Sequence, residues 1–193
     1  MKKILQIGVG GIGSFLAENV FDVIDNGIIP EPIELTLADG DIVEADQRIY
    51  QNFDLDGVGM NKAEVIGKTY GFKYIKKAIT DYRQLRGYDL IVLCVDNEST
   101  RELVVKYCHN NKIEFLDIRA TGRKVFVMPK LKTLQENLKF IDSKDLNSYS
   151  CQDAEDLKKG WYQLGNKVAG MIGTQMIVNC LRGHNNHIHN LII

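Results

Sequence analysis

The chain opens on an apolar run, KKILQIGVGGIG, that stops at a cluster of glycines, and this predicts a buried strand. SFLAENVFDVIDNG follows with apolar residues at Phe15, Leu16, Val20 and Val23, the spacing of a helix, and Gly27 is placed to end it. IELTLAD predicts a second strand ending at Asp39, so the chain up to that point forms one strand–helix–strand unit. An irregular stretch leads to NKAEVIGKTYG, a short helix with Asn61 as its N-cap. FKYIKKAIT alternates as a strand. YDLIVLCVD is nearly all apolar, as expected of a central parallel strand covered on both faces. ESTRELVVKYCHNN predicts a helix, and IEFLDI and KVFVMP two more strands.

From Lys130 to Gly160 the composition turns polar; LKFID predicts a strand there, and the rest a long exposed crossover. GNKVAGMIGTQMIVNCLRG predicts an apolar helix whose small residues Gly165, Ala169, Gly170 and Gly173 admit a neighbouring helix at close range, here assigned to a dimer mate. HIHNLII closes as a strand. Alternating strands and helices predict an α/β fold, a Rossmann-like, mostly parallel sheet flanked by helices, in a single domain over residues 1–193. Ligands of such sheets bind at the carboxyl ends of the strands, near the switch in strand order.

Composition narrows the function classes. Twenty-four basic residues stand against 25 acidic ones, a net charge of −1, which argues against a nucleic-acid or acidic-membrane partner. The opening MKKILQI starts like a signal peptide, but its apolar run is cut short by the glycines, and no stretch approaches a membrane span. Cys94, Cys108, Cys151 and Cys180 form no C-x-x-C pair, against a disulfide framework and against structural zinc. A cytoplasmic protein is expected.

The first candidate chemistry lies in IGVGGIGSFLA, with glycines at Gly8, Gly10, Gly11 and Gly13. Gly8 and Gly10 let the chain turn and approach a phosphate or sugar, Gly13 lets helix and strand pack closely, and the helix N-terminus offers N–H groups to an anion. Asp39 is placed to accept hydrogen bonds from ribose hydroxyls. These features fit a nicotinamide-dependent dehydrogenase and an ATP user equally.

Later blocks separate the two. The order is the glycine loop, then Asp39/Asp41/Val43/Glu44, then Arg48/Gln51, then Val58/Gly59/Lys62/Ala63/Glu64/Val65, then Asp96/Asn97/Arg101. This resembles the ubiquitin-activating-enzyme-like superfamily, which includes the ThiF and MoeB activators of sulfur-carrier proteins. The resemblance runs from Lys3 to about Met128 and resumes from Gly165 to Leu181. It implies a ThiF/MoeB-type adenylation fold and an ATP-dependent adenylyltransferase, acting as a homodimer on the C-terminal carboxylate of a small ubiquitin-like or sulfur-carrier protein ending in Gly-Gly. The implied nucleotide contacts are Gly8, Gly10, Gly11, Gly13, Asp39, Asp41, Gln51, Lys62 and Asn97. Lys62 would be the phosphate cation and Asp96 the Mg²⁺ ligand. Read alone, Lys62 is a solvated surface lysine, and Asp96 an N-cap for the helix starting at Glu98. A nicotinamide enzyme needs neither.

The chain also departs from the family. Members commonly carry N-x-x-R-Q after V-E; here ADQRIYQNF puts Tyr50 where the phosphate-binding arginine belongs and Arg48 two residues earlier, and Arg48 is taken to serve. Many members carry helices before the first strand that supply an arginine to the partner's site, whereas this sequence begins at the strand. Paired zinc cysteines are absent, so no zinc is expected. Cys151, in NSYSCQDAED, stands where sulfur-handling members place a mobile cysteine and is the candidate acyl acceptor, although Asp153, Glu155 and Asp156 would raise its thiol pKa. Cys94 reads as a core-strand residue, and Cys108 and Cys180 as core residues of helices. His184, His187 and His189 lack an acidic or cysteine neighbour and read as a solvated strand end rather than a metal site. Two alternatives stay open: a degenerate nucleotide-binding subunit without full catalysis, and an NAD-dependent oxidoreductase.

Overall fold

In the computed structural model, which describes residues 1–29, 31–141 and 154–193, the chain alternates strand and helix through most of its length. The elements are β1 (Lys2–Ile7), α1 (Gly11–Asp25), β2 (Ile33–Ala38), α2 (Lys62–Tyr70), β3 (Lys73–Ile75) and β4 (Leu90–Leu93). They continue with α3 (Glu98–Asn111), β5 (Glu114–Thr121), β6 (Lys124–Pro129), α4 (Leu134–Ile141), α5 (Ala154–Lys158), α6 (Gly165–Leu181) and β7 (His189–Ile192).

The strands form one sheet in the order β3-β2-β1-β4-β5-β6-β7. The first five in that order are parallel, and β6 and β7 add as antiparallel strands. Strand order reverses at β1, between β2 and β4, and a crevice therefore opens where the carboxyl ends of β1 and β4 diverge. The fully buried LIVL of β4 bears out a central strand covered on both faces. Leu16, Ala17 and Val20 of α1, Ile66 of α2 and Met176 and Ile177 of α6 pack on one face with Ile4, Leu35, Val92 and Ile118 of the sheet. Val104, Val105 and Cys108 of α3 and Ile141 of α4 pack on the other with Leu5, Ile91, Phe115 and Met128.

Two expectations are corrected. The LKFI of LKFID is not a strand: Leu138–Ile141 belongs to α4, because Leu131, Leu134, Leu138 and Ile141 recur at helical spacing against the α3-side core, and Asp142 lies outside the described residues. The helix is started by a reciprocal cap, with Thr133 Oγ1 accepting from the Glu136 N–H and Glu136 Oε2 accepting from the Thr133 N–H. The small residues of α6 are used within the chain. A Cβ on Gly170 would lie 3.2 Å from the Leu16 nitrogen of α1, and one on Gly173 would lie 2.3 Å from Ile118 Cδ1 of β5. The stripe therefore seats α6 on α1 and the sheet, not on a dimer mate. Strand β3 is shorter than FKYIKKAIT suggested, and of HIHNLII only His189–Ile192 pairs, so His187 precedes the strand.

Candidate functional site

The glycine loop turns between β1 and α1. Gly8 has φ of 92°, and a Cβ there would stand 2.4 Å from the Cys94 carbonyl oxygen at the end of β4. A Cβ on Gly13 would stand 2.1 Å from the Gly8 carbonyl oxygen, so the first turn of α1 rests on the loop itself. Gly10, by contrast, has nothing among the described residues within 4 Å of its Cβ position and lines the crevice. Buried Gln6 shapes the loop from beneath: its Nε2 donates to the carbonyl oxygens of Gly8 (3.1 Å) and Gly13 (2.8 Å). Among the described residues no side chain caps the N-terminus of α1, an arrangement that suits a ligand anion.

Asp39 follows β2 directly. Its Oδ2 accepts the Val9 N–H at 2.6 Å and its Oδ1 the Asp41 N–H at 2.8 Å. Burial raises its pKa above the ordinary aspartate value, with the two backbone N–H bonds opposing. Asn61 caps α2 through Oδ1, which accepts from the Glu64 N–H, while its Nδ2 donates to the carbonyl oxygens of Asp39 (2.9 Å) and Asp41 (3.0 Å). One amide thus ties the start of α2 to the end of β2 and carries Lys62 to the crevice. Lys62 is 6% exposed, and its Nζ stands 4.0 Å from Asp41 Oδ2, too far for a hydrogen bond. The sequence-based alternative of a solvated lysine is therefore replaced by a buried ammonium.

At the end of β4 the cap of α3 is Asn97, whose Oδ1 accepts the Thr100 N–H at 2.8 Å. Asp96 does not cap the helix, and its exposed carboxylate has no hydrogen-bond or ion-pair partner among the described residues. Arg101, 2% exposed, donates through Nη2 to the Val95 carbonyl oxygen and through Nε to Asp117 Oδ1 at 3.2 Å, which fixes the backbone just before Asp96. Arg119 joins the same carboxylate through Nε (2.9 Å) and Nη2 (2.5 Å) on Asp117 Oδ2.

A cavity of about 420 Å³ lies over these groups, a volume suited to a nucleotide-sized ligand. It is lined by Gly8, Gly10, Gly11, Asp39, Asp41, Gln51, Lys62, Asp96 and Asn97, so most of the sequence-predicted residues converge. Gly13 does not line it and acts through packing. Arg48 is not among the lining residues either, and its buried Nε has no partner among the described residues; Gln47 and Tyr50 of the same turn do line the cavity. Arg119 was missed by sequence reasoning. Cys151 lies outside the described residues. Cys94 lines the cavity, although burial pushes its thiol far up; the Cys108 and Cys180 thiols are pushed up to about 12 and about 11, also by burial, which makes them poor nucleophiles.

The donor set fits a nucleotide. Lys62 and the α1 N-terminus suit anionic oxygens, Asp39 suits hydroxyl donors, and the buried amide oxygens of Gln47 and Gln51 lack partners among the described residues and suit N–H or O–H donors. Magnesium fits as well. It is commonly held by one or two carboxylates plus phosphate oxygens, and Asp96 offers an uncommitted carboxylate at the cavity. Among the described residues no group of three His, Cys, Asp or Glu could cage a metal alone. No helix described is long and apolar enough to cross a membrane.

Among solved structures, the fold is similar to Escherichia coli TcdA, a tRNA N6-threonylcarbamoyladenosine dehydratase (TM-score 0.66, 19% identity, 94% of this chain and 86% of that one). It is also similar to Escherichia coli MccB solved with ATP (TM-score 0.69, 20% identity, 99% of this chain and 63% of that one). A third similar structure is PaaA (TM-score 0.66, 17% identity, 100% of this chain and 64% of that one). This chain thus spans less than two thirds of the MccB and PaaA chains. No curated protein matches the sequence. The model of the ThiF family matches residues 1–192, and with the glycine loop, Asp39, Lys62 and Asp96 gathered on one cavity, the chain belongs to the ThiF family.

Proposed function

We propose that this chain is an ATP-dependent adenylyltransferase that activates the C-terminal carboxylate of a small ubiquitin-like or sulfur-carrier protein. The observation that carries the reading is the burial of Lys62 at the cavity that also holds Asp39 and Asp96. A phosphate cation, a ribose acceptor and a metal carboxylate then stand around one ligand. In the reaction a carboxylate oxygen of the carrier attacks the α-phosphorus. The bond from that phosphorus to the bridging oxygen breaks, and pyrophosphate leaves with the electron pair, giving an acyl-adenylate. Asp39 holds the ribose, the α1 N-terminus receives phosphate oxygens, and Lys62 meets charge developing on the leaving group. Asp96 would hold magnesium, which would supply Lewis-acid charge to the phosphate oxygens. Cys151 is the acceptor in a second step, its thiolate displacing AMP to give a thioester.

Two other substrates for adenylation are kept as alternatives, a peptide and a tRNA-linked carboxylate; among structures of this fold are MccB with AMPCPP and MccA, and TcdA, a tRNA N6-threonylcarbamoyladenosine dehydratase. We keep the homodimer as part of the proposal: Ile42, Ile49, Leu55 and Val58 are large apolar side chains exposed between β2 and α2.

The test is ATP–pyrophosphate exchange with a carrier ending in Gly-Gly. Carrier-dependent exchange is expected, followed by a thiol-labile carrier–enzyme adduct that Cys151→Ser abolishes while exchange persists. Tighter binding of NAD⁺ than of ATP, with NADH turnover, would overturn the reading. A second reading, a nucleotide-binding subunit without full catalysis, is favoured by one observation: Tyr50 lines the cavity where the family arginine belongs. It predicts ATP binding without exchange.

A further inference from the structure

We infer that Arg101 is a positioning residue for the metal carboxylate: anchored on Asp117, it holds the peptide unit from which Asp96 projects and so sets the affinity of the site for magnesium. The inference rests on the ATP site proposed above, and its support is the way the chain leaves β4. Leu93 ends that strand, where it pairs with Ile7 of β1 and with Asp117 of β5. The Cys94 N–H still donates to the Ile7 carbonyl oxygen at 2.8 Å. Val95 and Asp96 then lie past the strand pairing and before α3 begins at Glu98. A carboxylate on such a stretch needs another restraint if it is to meet a metal in one place.

Side chains supply it on both sides of Asp96. Arg101 Nη2 donates to the Val95 carbonyl oxygen, which belongs to the planar peptide unit that joins Val95 to Asp96, so holding that oxygen sets the plane from which Asp96 departs. On the other side Asn97 Oδ1 accepts the Thr100 N–H at 2.8 Å and the Ser99 hydroxyl at 3.1 Å. Arg101 is itself anchored: its Nε donates to Asp117 Oδ1 at 3.2 Å, with the two side chains 3% and 0% exposed. A planar guanidinium can span a carboxylate and a carbonyl at once, which a single ammonium does less well. Asp117 gives its other oxygen to Arg119, so one guanidinium already matches its charge. Burying a second guanidinium beside it carries a desolvation cost, and the grip on the Val95 carbonyl is the task that Arg101 adds. Groups one step removed from a metal ligand commonly tune metal affinity by orienting that ligand.

The test separates positioning from fold support and from direct contact with the nucleotide, since Arg101 also lines the cavity. Two variants are used. Arg101→Met removes the link to Val95 and leaves Asp117 paired with Arg119. Arg101→Lys keeps a charge beside Asp117 and guards against failure to fold. ATP affinity is measured by calorimetry with saturating magnesium and with a chelator, beside thermal melts, and the ratio of the two affinities is the magnesium-dependent gain. Both variants are expected to lose most of that gain, a fall on the order of tenfold, while the metal-free affinity for ATP changes by less than about twofold. Asp96→Asn is expected to lose the same gain, and adding Arg101→Met to it should cost no more, because the two residues then act through one ligand. An undiminished gain in the Arg101 variants, an equal loss of affinity with and without magnesium, or a further loss of gain in the double variant would overturn the inference. If the wild type shows no magnesium-dependent gain, or prefers NAD⁺ to ATP, the site proposed above fails and this inference with it; if Asp96→Asn removes the gain and the Arg101 variants keep it, the inference fails alone.

Discussion

Asp39 accepts the backbone N–H of Val9 at 2.6 Å, so the residue that ends β2 also grips the loop that follows β1. In the proposed site, this bond would couple ribose recognition by Asp39 to the shape of the glycine loop. Burial raises the Asp39 pKa, so the folded chain holds this proton more tightly than the unfolded chain does. Ionising Asp39 therefore lowers stability: the effect is absent below the ordinary aspartate pKa and complete above the raised one. Nucleotide binding runs the other way, since the ionised carboxylate is the better acceptor. ATP affinity should begin to fall, on acidification, above the usual aspartate range. Asp39→Asn should flatten that acid limb and weaken ATP binding by roughly tenfold. Titrations from neutral to acid pH check this, and an identical limb in the variant would assign it to another group.

Lys62→Ala should lose about 10²–10³ in single-turnover adenylation, the usual effect of removing one preorganised donor from a site of developing charge. Its melting temperature should move little, because relief of a buried ammonium offsets the lost stem contacts. Lys62→Arg should recover only part of the rate, a planar guanidinium being a poor substitute for a compact point charge in a closed space. Near-normal adenylation by the alanine variant would remove Lys62 from the chemistry.

Asp96→Asn should stay folded, since Asn97 and not Asp96 caps α3. It should lose most of its adenylation activity and most of its dependence on magnesium concentration, a change of several kcal/mol in charge stabilisation. Wild-type turnover across a magnesium titration would leave Asp96 without a metal role.

Gly10→Ala and Gly13→Ala should part company. A methyl at position 10 meets nothing among the described residues and stands at the cavity. That variant should melt near the wild type and bind ATP poorly. A methyl at position 13 strikes the Gly8 carbonyl oxygen and Gln6 Nε2 and should destabilise the fold by roughly 1–3 kcal/mol. Melting curves and ATP titrations of both suffice; equal melting temperatures would contradict the contacts described.

Much of this was legible in the sequence because short local signals carried it. Apolar runs stopped by Gly8 and Asp39 marked β1 and β2 and hence the mouth of the site. Asn61 was readable as a cap, though not its second task of binding the carbonyl oxygens of Asp39 and Asp41, which ties the start of α2 to the end of β2. The start of α4 was also written locally, in Thr133 and Glu136, but LKFID alone resembles a strand and outweighed that signal. Arg119 gave no local sign. A charged residue between Ile118 and Ala120 becomes a cavity group only because β5 outruns β4, and strand length relative to a neighbour is a property of the sheet. The stripe on α6 failed for a related reason: small residues announce a close neighbour without saying whose chain provides it.

Gln6 makes no use of the cavity, yet its amide pins the carbonyl oxygens of Gly8 and Gly13 from inside the sheet. The loop's order is thus established when the core forms, and an arriving nucleotide need not confine it. Recognition of a phosphate by backbone N–H groups would otherwise carry an entropic cost that grows with every residue immobilised. Affinity at this site is therefore partly a property of hydrophobic-core assembly, and a substitution in the middle of a buried strand can weaken a ligand it never touches.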